Sequence, residues 1–165
     1  MTENKPLANR TGVLLLQRNQ TLATAESCTG GLIGHRITEV SGSSAYFMGG
    51  VVTYSNEAKM RFLNVQESTL MAVGAVSEEV AYEMAQGAKN AFQTDFALSV
   101  TGIAGPSGGT LDKPVGLTYI GLATPEGVTV QRHVWEGDRS EVKSQSADAA
   151  LQMLLDYLMR MQNDI

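Results

Sequence analysis

Apolar positions recur along this chain with two periods, and the order in which those periods alternate predicts an α/β protein. Leu7, Val13, Leu14 and Leu16 stand among polar residues and predict a helix over Leu7 to Arg18, with Gly12 as a weak point inside it. Thr21 to Ala25 is short, β-branched and alternating, as a strand would be. Leu32, Ile33, Ile37 and Val40 then form one stripe of a helix running from Thr29 to Val40. Gly50 to Tyr54 reads as a buried strand and Asn56 to Leu63 as a short helix.

The second half repeats the alternation. Ser77, with Glu79 and Val80 behind it, opens a helix to Phe92 whose apolar face is Val80, Ala81, Met84, Ala88 and Ala91. Asp95 to Thr101 is a strand that runs into a glycine-rich loop from Gly102 to Gly116. Leu117 to Ala123 and Val128 to Trp135 flank Pro125-Glu126-Gly127 and predict a hairpin. Asp138 followed three residues later by Glu141 is a helix start, and Val142, Ala149, Ala150, Leu154, Leu158 and Met161 carry that helix nearly to the end. Helices alternating with strands, followed by an antiparallel pair, predict a mixed sheet covered by helices on both faces. With no repeat, low-complexity tract or Pro/Ser-rich linker, residues 1–165 read as one domain.

Composition narrows the function classes. The 165 residues are 43% apolar and 18% charged, ordinary for a globular chain. No stretch approaches the ~18 consecutive apolar residues that span a bilayer, and the polar start of the chain lacks a signal-peptide core. The expectation is a cytoplasmic protein with no membrane partner. Twelve Lys and Arg against 17 Asp and Glu give a net charge of −5, with no basic run to follow a phosphate backbone, so nucleic acid is not expected as a partner. A single cysteine, Cys28, excludes an internal disulfide, and with His35 and His133 far apart no Cys/His metal site is expected.

Three unusual segments fall at predicted strand ends, where sites collect in open α/β sheets. The first is Ala25-Glu26-Ser27-Cys28-Thr29-Gly30-Gly31. It presents the Ser27 hydroxyl beside free N–H groups that suit an oxyanion or a phosphate, although Ser27 or Thr29 acting only as an N-cap is the alternative. Cys28 at a helix start is a second candidate nucleophile, but neither histidine is placed to serve it, and it reads as a small buried neighbour. The second segment, Tyr54 to Lys59, puts Lys59 in a first helical turn, where the dipole disfavours its charge. A neutral lysine is what a serine nucleophile without histidine requires, and Tyr54 beside it can relay a proton or orient it. The alternative is a solvated helix lysine. The third segment, Thr101 to Gly116, offers backbone groups of Gly102, Gly105 and Gly109, the hydroxyls of Thr101 and Thr110, and Lys113 as an anion contact.

These residues lie in the motifs TAESCTGG (24–31), GGVVTYSNEAK (49–59), GAVSEEV (74–80), TGIAGPSGGTLDKPVG (101–116) and GDR (137–139), which together resemble the C-terminal domain of the CinA family. The resemblance covers almost the whole chain in order, and five long motifs are far more specific than any one. Members often carry a second, N-terminal domain, for which this chain has no room. The resemblance implies a three-layer α/β/α sandwich. It also implies hydrolysis of the amide of nicotinamide mononucleotide (NMN), a pyridine nucleotide, to nicotinate mononucleotide and ammonia, with no metal or cofactor. It makes Ser27 the nucleophile, Lys59 its base and Tyr54 an auxiliary proton carrier, with Thr29 to Gly31 and the Gly102 to Thr110 loop holding the ligand. Arg139 becomes a phosphate contact across a subunit interface of a homo-oligomer. One departure is Lys143, where a second arginine is expected; lysine keeps the charge but not the bidentate geometry. A paralogue that retains the pocket as a nucleotide- or partner-binding module is the competing expectation.

Overall fold

Leu22 to Glu26 are buried without exception, because they form strand β1 (Leu22–Glu26) in the interior of a five-stranded sheet. The computed structural model describes residues 6–163. Around β1 the chain adds α1 (Leu7–Arg18), α2 (Leu32–Thr38), β2 (Phe47–Val52), α3 (Asn56–Leu63), α4 (Glu67–Val73) and α5 (Glu78–Phe92). It then continues with β3 (Phe96–Gly102), β4 (Leu117–Thr124), β5 (Gly127–Val134) and α6 (Arg139–Asn163). The sheet order is β2-β1-β3-β4-β5, with β1 parallel to β2 and β3, and β3, β4 and β5 antiparallel in turn.

Two apolar cores make this a three-layer sandwich. On one face Leu15, Ile33, Ile37, Leu151, Leu154 and Leu158 of α1, α2 and α6 meet Leu98 and Ile120 of the sheet. On the other, Leu63 of α3 and Val80, Met84 and Ala88 of α5 meet Ala23, Ala97 and Ala123. Gly87 lets α3 and α5 approach closely, since a Cβ there would lie 2.0 Å from the Leu63 carbonyl oxygen. Gly12, a weak point in the sequence pattern of α1, has a similar reason: its missing Cβ leaves room for the buried Tyr46 hydroxyl.

The caps follow local chemistry. Ser55 Oγ accepts from Ala58 N–H at 3.1 Å and Ser77 Oγ from Val80 N–H at 3.3 Å, starting α3 and α5. Asp138 and Glu141 form the reciprocal pair predicted for α6, at 2.9 and 2.7 Å. The hairpin turns through Pro125 and Glu126.

Three expectations change. The helix predicted from Thr29 to Val40 is only Leu32–Thr38, because Gly30 and Gly31 sit at φ +63° and +101°, outside the helical region. The strand predicted as buried at Gly50–Tyr54 is an edge strand three residues earlier, alternately half-buried and exposed, which Thr53 and Tyr54 leave to face Lys59. Helix α4 and a 3-10 turn at Ser43–Ala45 fill segments left without structure by the periodicity. No helix among the described residues is long and apolar enough to cross a membrane. The polar residues Met1 to Lys5 lie outside the described residues.

Candidate active site

The sheet register brings three strand ends level. Glu26 pairs with Val52 on one side and Val100 on the other. The ladder continues one step further, with Ser27 N–H donating to Val100 O at 3.0 Å and Thr53 N–H donating to Glu26 O at 2.8 Å. Ser27 and Thr53 therefore leave the sheet side by side, and Gly102 ends β3 beside them.

Lys59 reaches this point from α3. Its Nζ lies 2.9 Å from Ser27 Oγ, 2.7 Å from the Thr53 carbonyl oxygen and 3.4 Å from that of Tyr54. The side chain is 1% exposed, and among the described residues no carboxylate forms a salt bridge with it. Burial pushes its pKa below the ordinary 10.5, against a smaller opposing influence from Cys28. Burial also raises the Cys28 thiol to about 11, so Cys28 stays neutral near pH 7 and that opposition is absent there. Desolvation is thus the main cause. A neutral amine here can donate its two N–H bonds to the carbonyls of Thr53 and Tyr54 and turn its lone pair to the Ser27 hydroxyl.

The turn after Ser27 has few amides to spare. Gly30 N–H donates to Ser27 O at 3.1 Å. Ile33 and Gly34 N–H donate to the two carboxylate oxygens of Glu26 at 2.8 and 3.0 Å. Among the described residues the N–H groups of Cys28, Thr29 and Gly31 have no partner, and those of Cys28 and Thr29, next to Ser27, are the candidate donors to an oxyanion. Sequence reasoning passed over Glu26, since a carboxylate seven residues before the helix amides it caps has no local signature.

Ser27, Cys28, Tyr54, Lys59, Thr101, Gly102, Gly105 and Arg139 all line one cleft of ≈ 280 Å³. Ala75 and Val76, from the loop before α5, complete its wall and were not expected from sequence. Tyr54 is 62% exposed, and its hydroxyl accepts from Arg139 Nη2 at 3.0 Å; it is the Tyr54 carbonyl oxygen, not the hydroxyl, that bonds Lys59. Arg139 Nη1 donates to Gly105 O at 2.8 Å, which places the arginine in its own chain's cleft. The Thr101 hydroxyl is spent on Ala75 O at 2.8 Å. Gly102 is needed for space, since a Cβ there would lie 2.8 Å from the Leu117 carbonyl oxygen and 3.1 Å from Cys28 Sγ.

Other sequence candidates stand outside the cleft. Lys113 Nζ donates to Val73 O at the end of α4, so it ties the glycine-rich loop to a helix and does not line the cleft. Thr110 closes that loop by accepting from Lys113 N–H at 3.0 Å, and Gly109 packs its α-carbon against Val115. The Thr29 side chain is buried beneath the turn. Gly30 and Gly31 shape the turn, and Lys143 Nζ lies 3.6 Å from where a Gly30 Cβ would stand, one helical turn beyond Arg139. Among the described residues no group of three His, Cys, Asp or Glu could hold a metal ion.

Comparison with known proteins gives this arrangement a lineage. Residues 4–158 match the family described as the CinA C-terminal domain. A CinA-like protein of Geobacter sp. is 52% identical over 157 residues, covering 95% of this chain and 38% of its own length. One from Syntrophomonas wolfei is 50% identical, covering 94% of this chain and 38% of its own. The chain therefore spans well under half the length of the curated relatives it matches. The crystal structure of competence/damage inducible protein CihA from Agrobacterium tumefaciens superposes with a TM-score of 0.88 at 41% identity, over 91% of this chain and 92% of that one. A CinA superfamily protein from Klebsiella pneumoniae gives 0.90 at 34% identity, over 93% and 96%. With this match in sequence and in fold, the chain belongs to the CinA C-terminal domain family.

Proposed function

We propose that this chain is a Ser/Lys amidase that hydrolyses the nicotinamide amide of NMN to nicotinate mononucleotide and ammonia. The observation that carries the reading is the 2.9 Å approach of a buried Lys59 Nζ to Ser27 Oγ. Burial favours the neutral amine, and a neutral amine accepts a proton where an ammonium cannot. Lys59 takes the hydroxyl proton as Ser27 Oγ bonds to the amide carbonyl carbon. The carbonyl oxygen, now negative, is held by the N–H groups of Cys28 and Thr29.

The C–N bond then breaks as Lys59 returns the proton to the departing nitrogen, which leaves as ammonia. The resulting ester on Ser27 is attacked by water with Lys59 again as base. Its cleavage restores the serine, reprotonated by Lys59, and releases the nicotinate carboxylate. Arg139 and Lys143, one turn apart on α6, are the cations assigned to the substrate phosphate; Tyr54 places Arg139 through its hydroxyl. The test is ammonia release across a panel of nicotinamide derivatives, with NMN expected to be turned over fastest. Tight NMN binding with no ammonia from any of them would instead favour the non-catalytic binding module.

A further inference from the structure

Glu26 is a buried carboxylate, 2% exposed, that the proposed reaction leaves unused. We infer that it is a positioning residue which sets Ser27 and Lys59 in one frame. The inference rests on the reading of Ser27 as the nucleophile.

Its side chain holds the serine end. Ile33 and Gly34 are the second and third residues of α2, and their N–H groups are donors that an N-cap side chain ordinarily satisfies. The cap position is Gly31, at φ +101°, which has no side chain to offer. Glu26 supplies the missing acceptor from seven residues upstream, at 2.8 and 3.0 Å, and puts a carboxylate at the positive end of the helix. The hydrogen bonds close residues 26–34 into a ring that contains Ser27 and the free amides of Cys28 and Thr29.

Its main chain holds the lysine end. Glu26 O accepts from Thr53 N–H at 2.8 Å, and Thr53 O accepts from Lys59 Nζ at 2.7 Å. The nucleophile is thus the residue next to Glu26 in the chain, and the base, 32 residues beyond the nucleophile, is two hydrogen bonds from Glu26. Loss of the side-chain clamp frees the serine turn while the lysine arm, which is backbone, stays.

The experiment measures how fast an alkyl fluorophosphonate labels Ser27, located by peptide mass spectrometry, as a function of pH. This probe reports a nucleophilic serine whatever the natural substrate is. Glu26→Gln keeps the size and one acceptor oxygen; Glu26→Asp keeps the charge but shortens the reach. Both should label 10- to 100-fold more slowly at the high-pH plateau, since a displacement of about 1 Å costs on the order of 100-fold. The midpoint of the pH profile should stay put, and circular dichroism should report an intact fold at the assay temperature. A role confined to stability would leave the plateau rate of the folded variants unchanged, and that result overturns the inference. So does a midpoint that climbs towards 10.5, because Glu26 would then act by keeping Lys59 dry. If the unmutated protein is not labelled at Ser27, the nucleophile reading fails and takes the inference with it.

Discussion

Lys59 Nζ meets Ser27 Oγ at 2.9 Å although the two residues arrive from different parts of the sheet. Ser27 follows the interior strand β1, whereas Lys59 sits on the helix that follows the edge strand β2. The distance depends on the register of those two strands and on the burial of one amine, and both can be tested.

Activity should rise with pH. The active base is the neutral amine, and burial lowers the Lys59 pKa below 10.5, so the rate climbs through a midpoint under that value and then levels. Lys59→Arg should lose about 10²–10⁴-fold in kcat, because a guanidinium keeps its proton. An arginine variant with the original rate and profile would assign the Ser27 proton to another acceptor.

Stability should carry the same signature. A lysine whose folded pKa is depressed binds fewer protons folded than unfolded, so its unfavourable contribution is full below the folded pKa and fades as pH approaches 10.5. Compared with Lys59→Met in denaturant melts, the unmutated protein should gain ground as pH rises through that window. A pH-independent difference would mean that the amine is not desolvated.

Cys28 should be dispensable where Ser27 is not. The thiol is buried and pushed up to about 11, so it supplies almost no thiolate near pH 7. Ser27→Ala should lose several powers of ten in rate while still binding NMN, whereas Cys28→Ala should stay within about tenfold. The opposite ranking in a steady-state assay would exchange the two roles.

Phosphate recognition should sit on α6 and not on the glycine-rich loop. Arg139→Ala should narrow the preference for NMN over nicotinamide riboside, with charge-assisted hydrogen bonds of about 1.5–3 kcal/mol at stake. Lys113→Ala should leave that preference alone, since that lysine does not line the cleft. Equal kcat/KM for nucleoside and nucleotide in the unmutated protein would remove the phosphate site altogether.

Gly87→Ala tests the support behind Lys59. Its Cβ would meet the Leu63 carbonyl oxygen at 2.0 Å and force α3 from α5. Overpacking of this kind costs about 1–3 kcal/mol, which outweighs the ~1 kcal/mol that alanine gains in helix propensity. Thermal melts should report the loss, and kcat should fall with it because α3 carries the base.

Much of this was legible in the chain because the signals were local. Periodicity located most of the strands and helices, and the Ser55, Ser77 and Asp138–Glu141 caps read directly from short spacings. The Ser27 turn and the Lys59 helix start could be placed at strand ends on that basis. What was not legible depended on partners distant in sequence. Nothing near Lys113 in sequence foretells that it donates to Val73, 40 residues away, and nothing near Tyr54 foretells that Arg139, 85 residues on, donates to its hydroxyl. Glu26 was overlooked because its amides lie across a glycine turn. β2 was displaced because its alternation is masked by Gly49 and Gly50; the latter leaves space for the Thr24 hydroxyl.

The dry setting of Lys59 makes the site a monitor of its own integrity. A breathing motion that parts α3 from the sheet would admit water to the amine, and hydration favours the charged form that cannot accept a proton. The molecule would then fall silent while most of its secondary structure was still in place, and recover when the wall closed. In such an arrangement, competence for proton transfer and tightness of packing are one property seen from two sides.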